Sequence, residues 1–112
     1  MKTTYYLAVH TGVLLTVDDY AEQAHALVDH LTDILTNPEH VLELTKHATI
    51  DTFHTEVEVS AIDDELFGAL VVDIEAEKRV LFDKPLFSRL FKACYPGKGV
   101  RIEKRQVDQA VS

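Results

Sequence analysis

Residues 49–75 read TIDTFHTEVEVSAIDDELFGALVVDIE. In the first half, Phe53, Thr55, Val57, Val59 and Ala61 alternate with His54, Glu56, Glu58 and Ser60. A period of two with one apolar and one charged set predicts a strand with one wet face. Asp63-Asp64-Glu65 is the expected turn. LFGALVVDIE then reads as a second, more buried strand, rich in β-branched residues. A sheet with one wet face must cover its other face with something else, and helices are the economical cover.

The chain supplies two such helices. In DDYAEQAHALVDHLTDILTNP (18–38), Ala24, Leu27, Val28, Leu31, Ile34 and Leu35 form one apolar stripe at helical spacing. Asp19 and Glu22 have capping-box spacing at its start. Asn37-Pro38 ends it, because a residue before proline avoids the helical region. Asn37 then caps a second short helix, PEHVLELTKHA, with Pro38 in its first turn. Further on, DKPLFSRLFKACYPG (83–97) has Asp83 as cap, Pro85 in the first turn and Gly97 past the end. Its expected buried face is Leu86, Phe87, Leu90, Phe91 and Cys94.

Strands flank these helices. Tyr5, Leu7 and Val9 alternate with Tyr6, Ala8 and His10, and the pattern resumes at Val13, Leu15 and Val17. His10-Thr11-Gly12 marks a hairpin turn or a bulge within one long strand. AEKRVLFD (76–83) is expected as a turn and a short strand, although Glu77, Lys78 and Arg79 also suit a helix. GVRIEKRQV is the last strand, and residues 108–112 are expected to fray. The order β, α, (α), β, β, (β), α, β predicts a single α+β domain over residues 1–112: an antiparallel sheet with two main helices on one face. A ferredoxin-like, split βαβ plan is the first expectation. A cystatin-like plan, one main helix wrapped by a bent meander, is the alternative.

The charge is unevenly placed. Residues 1–83 carry 4 Lys/Arg and 17 Asp/Glu; residues 84–112 carry 7 Lys/Arg and 2 Asp/Glu, within a chain of net charge −8. The basic strip YPGKGVRIEKR (95–105) holds Lys98, Arg101, Lys104 and Arg105, the candidates for binding an anion or an interface. Its PGKG follows a helix instead of opening one, and a helix C-terminus repels phosphate. Nucleic acid is disfavoured by the acidic remainder and by the lack of an aromatic run in these strands. The expected role is internal complementation, with the strip beside Glu56 and Glu58 in its own sheet or in a second subunit's.

Catalytic signatures are sparse. Six histidines are present, and His10 and His54 are the candidates for acid–base work if the fold brings them to one carboxylate. His25 and Asp29 on one helix, and Glu43 and His47 on the next, are the candidates for metal ligation. Their spacing is also that of an ordinary solvated helix face, so no metal and no other cofactor is predicted. Cys94 is the single thiol and the last turn of a helix opposes a thiolate, so a core role is expected for it. The Asp63-Asp64-Glu65 loop lacks the pattern of a calcium loop.

The N-terminal stretch makes a poor signal peptide, because His10-Thr11-Gly12 interrupt it and acids crowd the only small-residue site. No apolar run approaches the length of a membrane span. A cytoplasmic setting is therefore expected. These features point to a non-enzymatic binding or regulatory module that self-associates. A His/carboxylate-dependent enzyme or metal protein is the alternative, and a nucleic-acid binder through the C-terminal strand is a further one.

Overall fold

The computed structural model describes residues 1–16, 18–95 and 100–108, with the backbone alone for 105–108. Seven elements follow in chain order: β1 (Lys2–Leu14), α1 (Tyr20–Thr36), α2 (Pro38–Leu44), β2 (Thr52–Ile62), β3 (Glu65–Glu75), α3 (Lys84–Cys94) and β4 (Arg101–Asp108). The four strands form one sheet in the order β2-β3-β1-β4, and every neighbouring pair is antiparallel. The class is α+β, as the sequence predicts.

Each connection has a local cause. β2 and β3 are joined through Asp63 and Asp64, both at positive φ (51° and 64°). A two-residue hairpin loop of this hand matches the strand twist, and Asp tolerates the left-handed region. β1 is one strand with an irregularity between His10 and Leu14 and a positive φ at Gly12 (73°), so the bulge reading holds and the hairpin reading does not. Glu65 Oε1 accepts from the Gly12 amide, and the buried Thr11 hydroxyl donates to the Leu66 carbonyl.

Asn37 Oδ1 accepts from the Glu39 amide at the start of α2, and Asp83 Oδ1 accepts from the Leu86 amide at the start of α3. Asp19 behaves differently from expectation. It is itself in helical geometry, so its carboxylate does not cap α1; it accepts from the Thr16 hydroxyl instead. α2 is also shorter than expected, because Lys46 and His47 turn to positive φ.

The core lies between the sheet and the helices. β1 contributes Tyr5, Leu7 and Val9; β3 contributes Leu66, Leu70, Val72 and Ile74. They meet Leu27, Leu31, Ile34 and Leu35 of α1 and Phe87 and Phe91 of α3. α1 comes so close to β3 that a Cβ at Gly68 would stand 3.3 Å from Leu31 Cδ1 and 3.4 Å from Leu27 Cδ2. Glycine there sets the distance between the layers.

Residues 76–83 are neither strand nor helix. Val80 and Phe82 are buried and Leu81 is exposed, which imitates a strand pattern. No sheet edge receives the segment. It is pinned by side chains instead: the Tyr5 hydroxyl donates to the Val80 carbonyl (2.7 Å) and Lys104 Nζ to the Phe82 carbonyl (3.0 Å). Burial raises the Tyr5 pKa above its ordinary value, against a smaller opposing pull from Arg79. Tyr95 is shifted the same way, again by burial.

Two outcomes follow from this packing. Gly68→Val should overpack the α1–β3 contact and lower stability by about 1–3 kcal/mol in denaturant melts, while Gly68→Ala costs much less. The raised tyrosine pKa values place a stabilising contribution below about pH 10, lost as the pH rises from there through the folded values. Tyr5→Phe should cost about 1 kcal/mol at neutral pH and flatten part of that alkaline loss, read as melting temperature against pH.

Candidate functional site

Among the described residues, the helices lie on one side of the sheet and none lies on the other face. Strand alternation and register define what it presents. Its rows run from β2 to β4: Ser60, Phe67, His10 and Arg101; then Glu58, Ala69, Ala8 and Glu103; then Glu56, Val71 and Tyr6, with Arg105 next in register; then His54, Asp73 and Thr4. The centre is apolar and built from β1 and β3. The flanks are charged and built from the two edge strands.

Ala8 and Ala69 are direct partners. Their small side chains leave a shallow trough between larger neighbours. One groove of about 540 Å³ lies among Tyr6, Ala8, Ala69, Val71 and Glu103, and another of about 480 Å³ continues over Ala69 and Val71 to Glu56 and Glu58. Tyr6 is 42% exposed, in contrast to Tyr5 beside it, which is buried under the helices. The His10 imidazole packs edge-on against Phe67 at 5.1 Å between ring centres. The Thr4 hydroxyl donates to Asp73 Oδ1 (2.6 Å) and closes the far end.

The candidate acid–base pair does not come together. His10 is opposite Phe67 and His54 is opposite Asp73, six residues further along β3. That separation is about 20 Å. Each imidazole has a different carboxylate at the edge of contact: Glu103 at 4.0 Å from His10 and Glu56 at 3.7 Å from His54. His25 and Asp29 lie on the exposed side of α1, Glu43 is exposed on α2, and His47 is past the end of that helix. Among the described residues, no three His, Cys, Asp or Glu side chains gather as a metal site.

The basic strip divides. Lys98 lies outside the described residues, as does the PGKG segment that contains it. Arg101 is exposed and its Nε stands 3.5 Å from Glu103 Oε1 of the same strand. Lys104 reaches the Phe82 carbonyl and sits over the Tyr5 ring at 5.3 Å. Within the chain, β4 is not beside Glu56 and Glu58. It pairs with β1, and β2 is at the opposite edge of the sheet. The expected intramolecular complementation is therefore absent for Arg101 and Lys104, because two strands separate the partners.

Aromatic rings on a wet sheet face can stack nucleic-acid bases, and Tyr6 and Phe67 occupy such positions. The flanks oppose that use: Glu56, Glu58, Asp73 and Glu103 border the rings, and the Arg101 guanidinium is already beside Glu103.

No family model matches the chain, and no curated protein does. Among solved structures it is similar to a de novo designed protein, Foldit4, at 8% identity and a TM-score of 0.42, over 97% of this chain and 99% of that one. Among the described residues, no helix is long and apolar enough to cross a membrane.

Cys94 corrects a further expectation. Its thiol is exposed, not part of the core. Phe87, Phe91 and Tyr95 recur every four residues and fill the buried stripe, stacking in sequence, so Cys94 falls to the flank. A thiol reagent should modify Cys94 completely in the native protein, at a rate within a few-fold of that in denaturant. Protection by orders of magnitude would show that the thiol is covered.

Proposed function

We propose that the protein is a non-enzymatic binding module that self-associates, with the uncovered face of its sheet as the working surface. The observation that carries this reading is the composition of that face: an apolar centre of Tyr6, Ala8, Phe67, Ala69 and Val71, bordered by the charges of β2 and β4. Apolar patches rimmed by polar residues are the usual mark of an interaction surface. The dispersal of His10 and His54 removes the arrangement that acid–base chemistry needs.

The strand order β2-β3-β1-β4 supports the split βαβ, ferredoxin-like assignment. In that plan two crossovers place two helices on one face, and the second face remains free by construction. The cystatin-like alternative has a single main helix and no reason for α3 to lie beside α1. The free thiol of Cys94 fits a reducing, cytoplasmic setting.

Self-association is directly measurable. At tens of micromolar, sedimentation velocity and native mass spectrometry should both find a dimer or a closed oligomer that dissociates on dilution. A monomer throughout that range would overturn the reading.

A further inference from the structure

We infer that the outer edge of β2 is a docking site for an extended basic segment of a partner protein, added as a further strand. β2 is an edge strand, and among the described residues no strand lies beyond it. Such an edge offers a row of backbone N–H and C=O groups, and an extended segment can pair with them. At one end of β2 the Tyr20 hydroxyl donates to the Val59 carbonyl (3.4 Å). Residues 52–58, on the near side of that contact, are the stretch the site uses. This edge is a different surface from the open face, so its occupation does not depend on association through that face.

The edge is long and regular. β2 pairs with β3 over 11 residues without a register shift, and it carries no Pro and no Lys, the usual devices against strand addition. What guards it is the pair of carboxylates of Glu56 and Glu58, exposed on the outward side. Their partners on β3 are Val71 and Ala69, so no cation answers them across the pair. Along the strand, the His54 imidazole is 3.7 Å from Glu56. These charges choose the occupant. Pairing β2 with β2 of a second copy over its full length, antiparallel about Val57, sets each Glu56 opposite the other copy's Glu58. Like charges directly opposite are destabilising, whereas Lys or Arg at alternate positions of an incoming strand is favoured by the same rule.

The inner side supplies the second half of the pattern. Phe53 and Thr55 line a groove of about 440 Å³ with Leu35 of α1 and Pro38, Val41 and Leu42 of α2. Their β3 partners, Ile74 and Val72, are fully buried and do not line it, so the groove opens away from β3, toward the free edge. Leu42 is 48% exposed there. A strand added about 4.8 Å beyond β2 sets alternate side chains beside Phe53 and Thr55, at the mouth of this groove. The occupant is therefore a segment in which aliphatic residues, facing the groove, alternate with Lys or Arg, facing Glu56 and Glu58. Backbone bonds supply the affinity and the two rows of side chains supply the choice.

The test uses the full chain and short capped peptides, followed by fluorescence anisotropy. A peptide of alternating Val and Lys should bind with a Kd on the order of 100 µM or below, and one of alternating Val and Glu at least about tenfold more weakly. The Val/Lys peptide N-methylated at every residue keeps its charges and side chains but can donate no strand hydrogen bond, and it should not bind. Glu56→Lys combined with Glu58→Lys should reverse the preference between the two peptides. Leu42→Ser should weaken binding by about fivefold, and Tyr6→Ser, on the open face, should leave it within about twofold. All these positions are exposed, so the variants should keep the wild-type melting curve. Equal binding of the N-methylated peptide would reduce the effect to general attraction by an acidic protein and overturn the proposal, as would a lack of saturation by about 1 mM. Loss of binding in Tyr6→Ser would move the peptide to the open face and overturn the edge. A wild-type dimer that must dissociate before the peptide binds would put a second copy at the edge and overturn the choice of occupant.

Discussion

The antiparallel pairing of β1 with β3 is the constraint on which the structure depends. It runs from Lys2↔Glu75 to His10↔Phe67 and makes these two the central strands. Their inward side chains build most of the sheet's share of the core. Their outward side chains build the whole apolar centre of the open face. Once β1 and β3 are paired, β2 can only extend the sheet beyond β3, to which a two-residue turn joins it. The other side of β1 is then left for β4. The charge separation between the sheet's edges is thus a product of connectivity, since the acidic and basic strands are attached to opposite neighbours.

Features set by local periodicity were legible in the sequence. The alternation from Phe53 to Val59, the stripe from Ala24 to Leu35, the Asn37 and Asp83 caps and the Asp63-Asp64 turn each involve a few adjacent residues, and each is found where the pattern places it, whereas Ala61, expected on the inner side, is exposed. The misreadings share another cause. Val80 and Phe82 alternate with Arg79 and Leu81 as in a strand, but the segment is held at its ends by backbone bonds of Ala76 with Met1 and of Asp83 with Leu44, and in its middle by the Tyr5 and Lys104 side chains, so it pairs with no strand. The carboxylate of Asp19 was expected to cap α1 and is satisfied by Thr16. Cys94 matched the helical stripe, but Tyr95 at the next position completes the aromatic ladder and takes the buried site.

The candidate face was only half legible. Alternation showed that Tyr6 and Tyr5 point to opposite sides, and that Glu56 and Glu58 face water. It carried no information on neighbours. That Ala8 sits against Ala69, and Tyr6 against Val71, depends on pairing across more than sixty residues. The same gap accounts for the basic strip. Its complementarity to HTEVEVS is a property of two segments, whereas their separation by two strands is a property of the topology. The outward groups are consequently spread over four strands of one face.

Among the described residues β4 has β1 as its one neighbour in the sheet, and it closes a chain segment of about a hundred residues when it docks. The β2–β3 hairpin closes over a two-residue loop. Loop-closure entropy therefore orders assembly, with the hairpin early and the terminal strand late. In the interval, the most central strand of the molecule carries a bare row of amide and carbonyl groups along its length. A β4 from another nascent chain offers the same hydrogen bonds at that row, so high concentration during folding favours strand-exchanged dimers. Such a species would preserve every native contact while joining two molecules through an edge, and its yield would depend on the rate of closure and not on the stability of the folded domain.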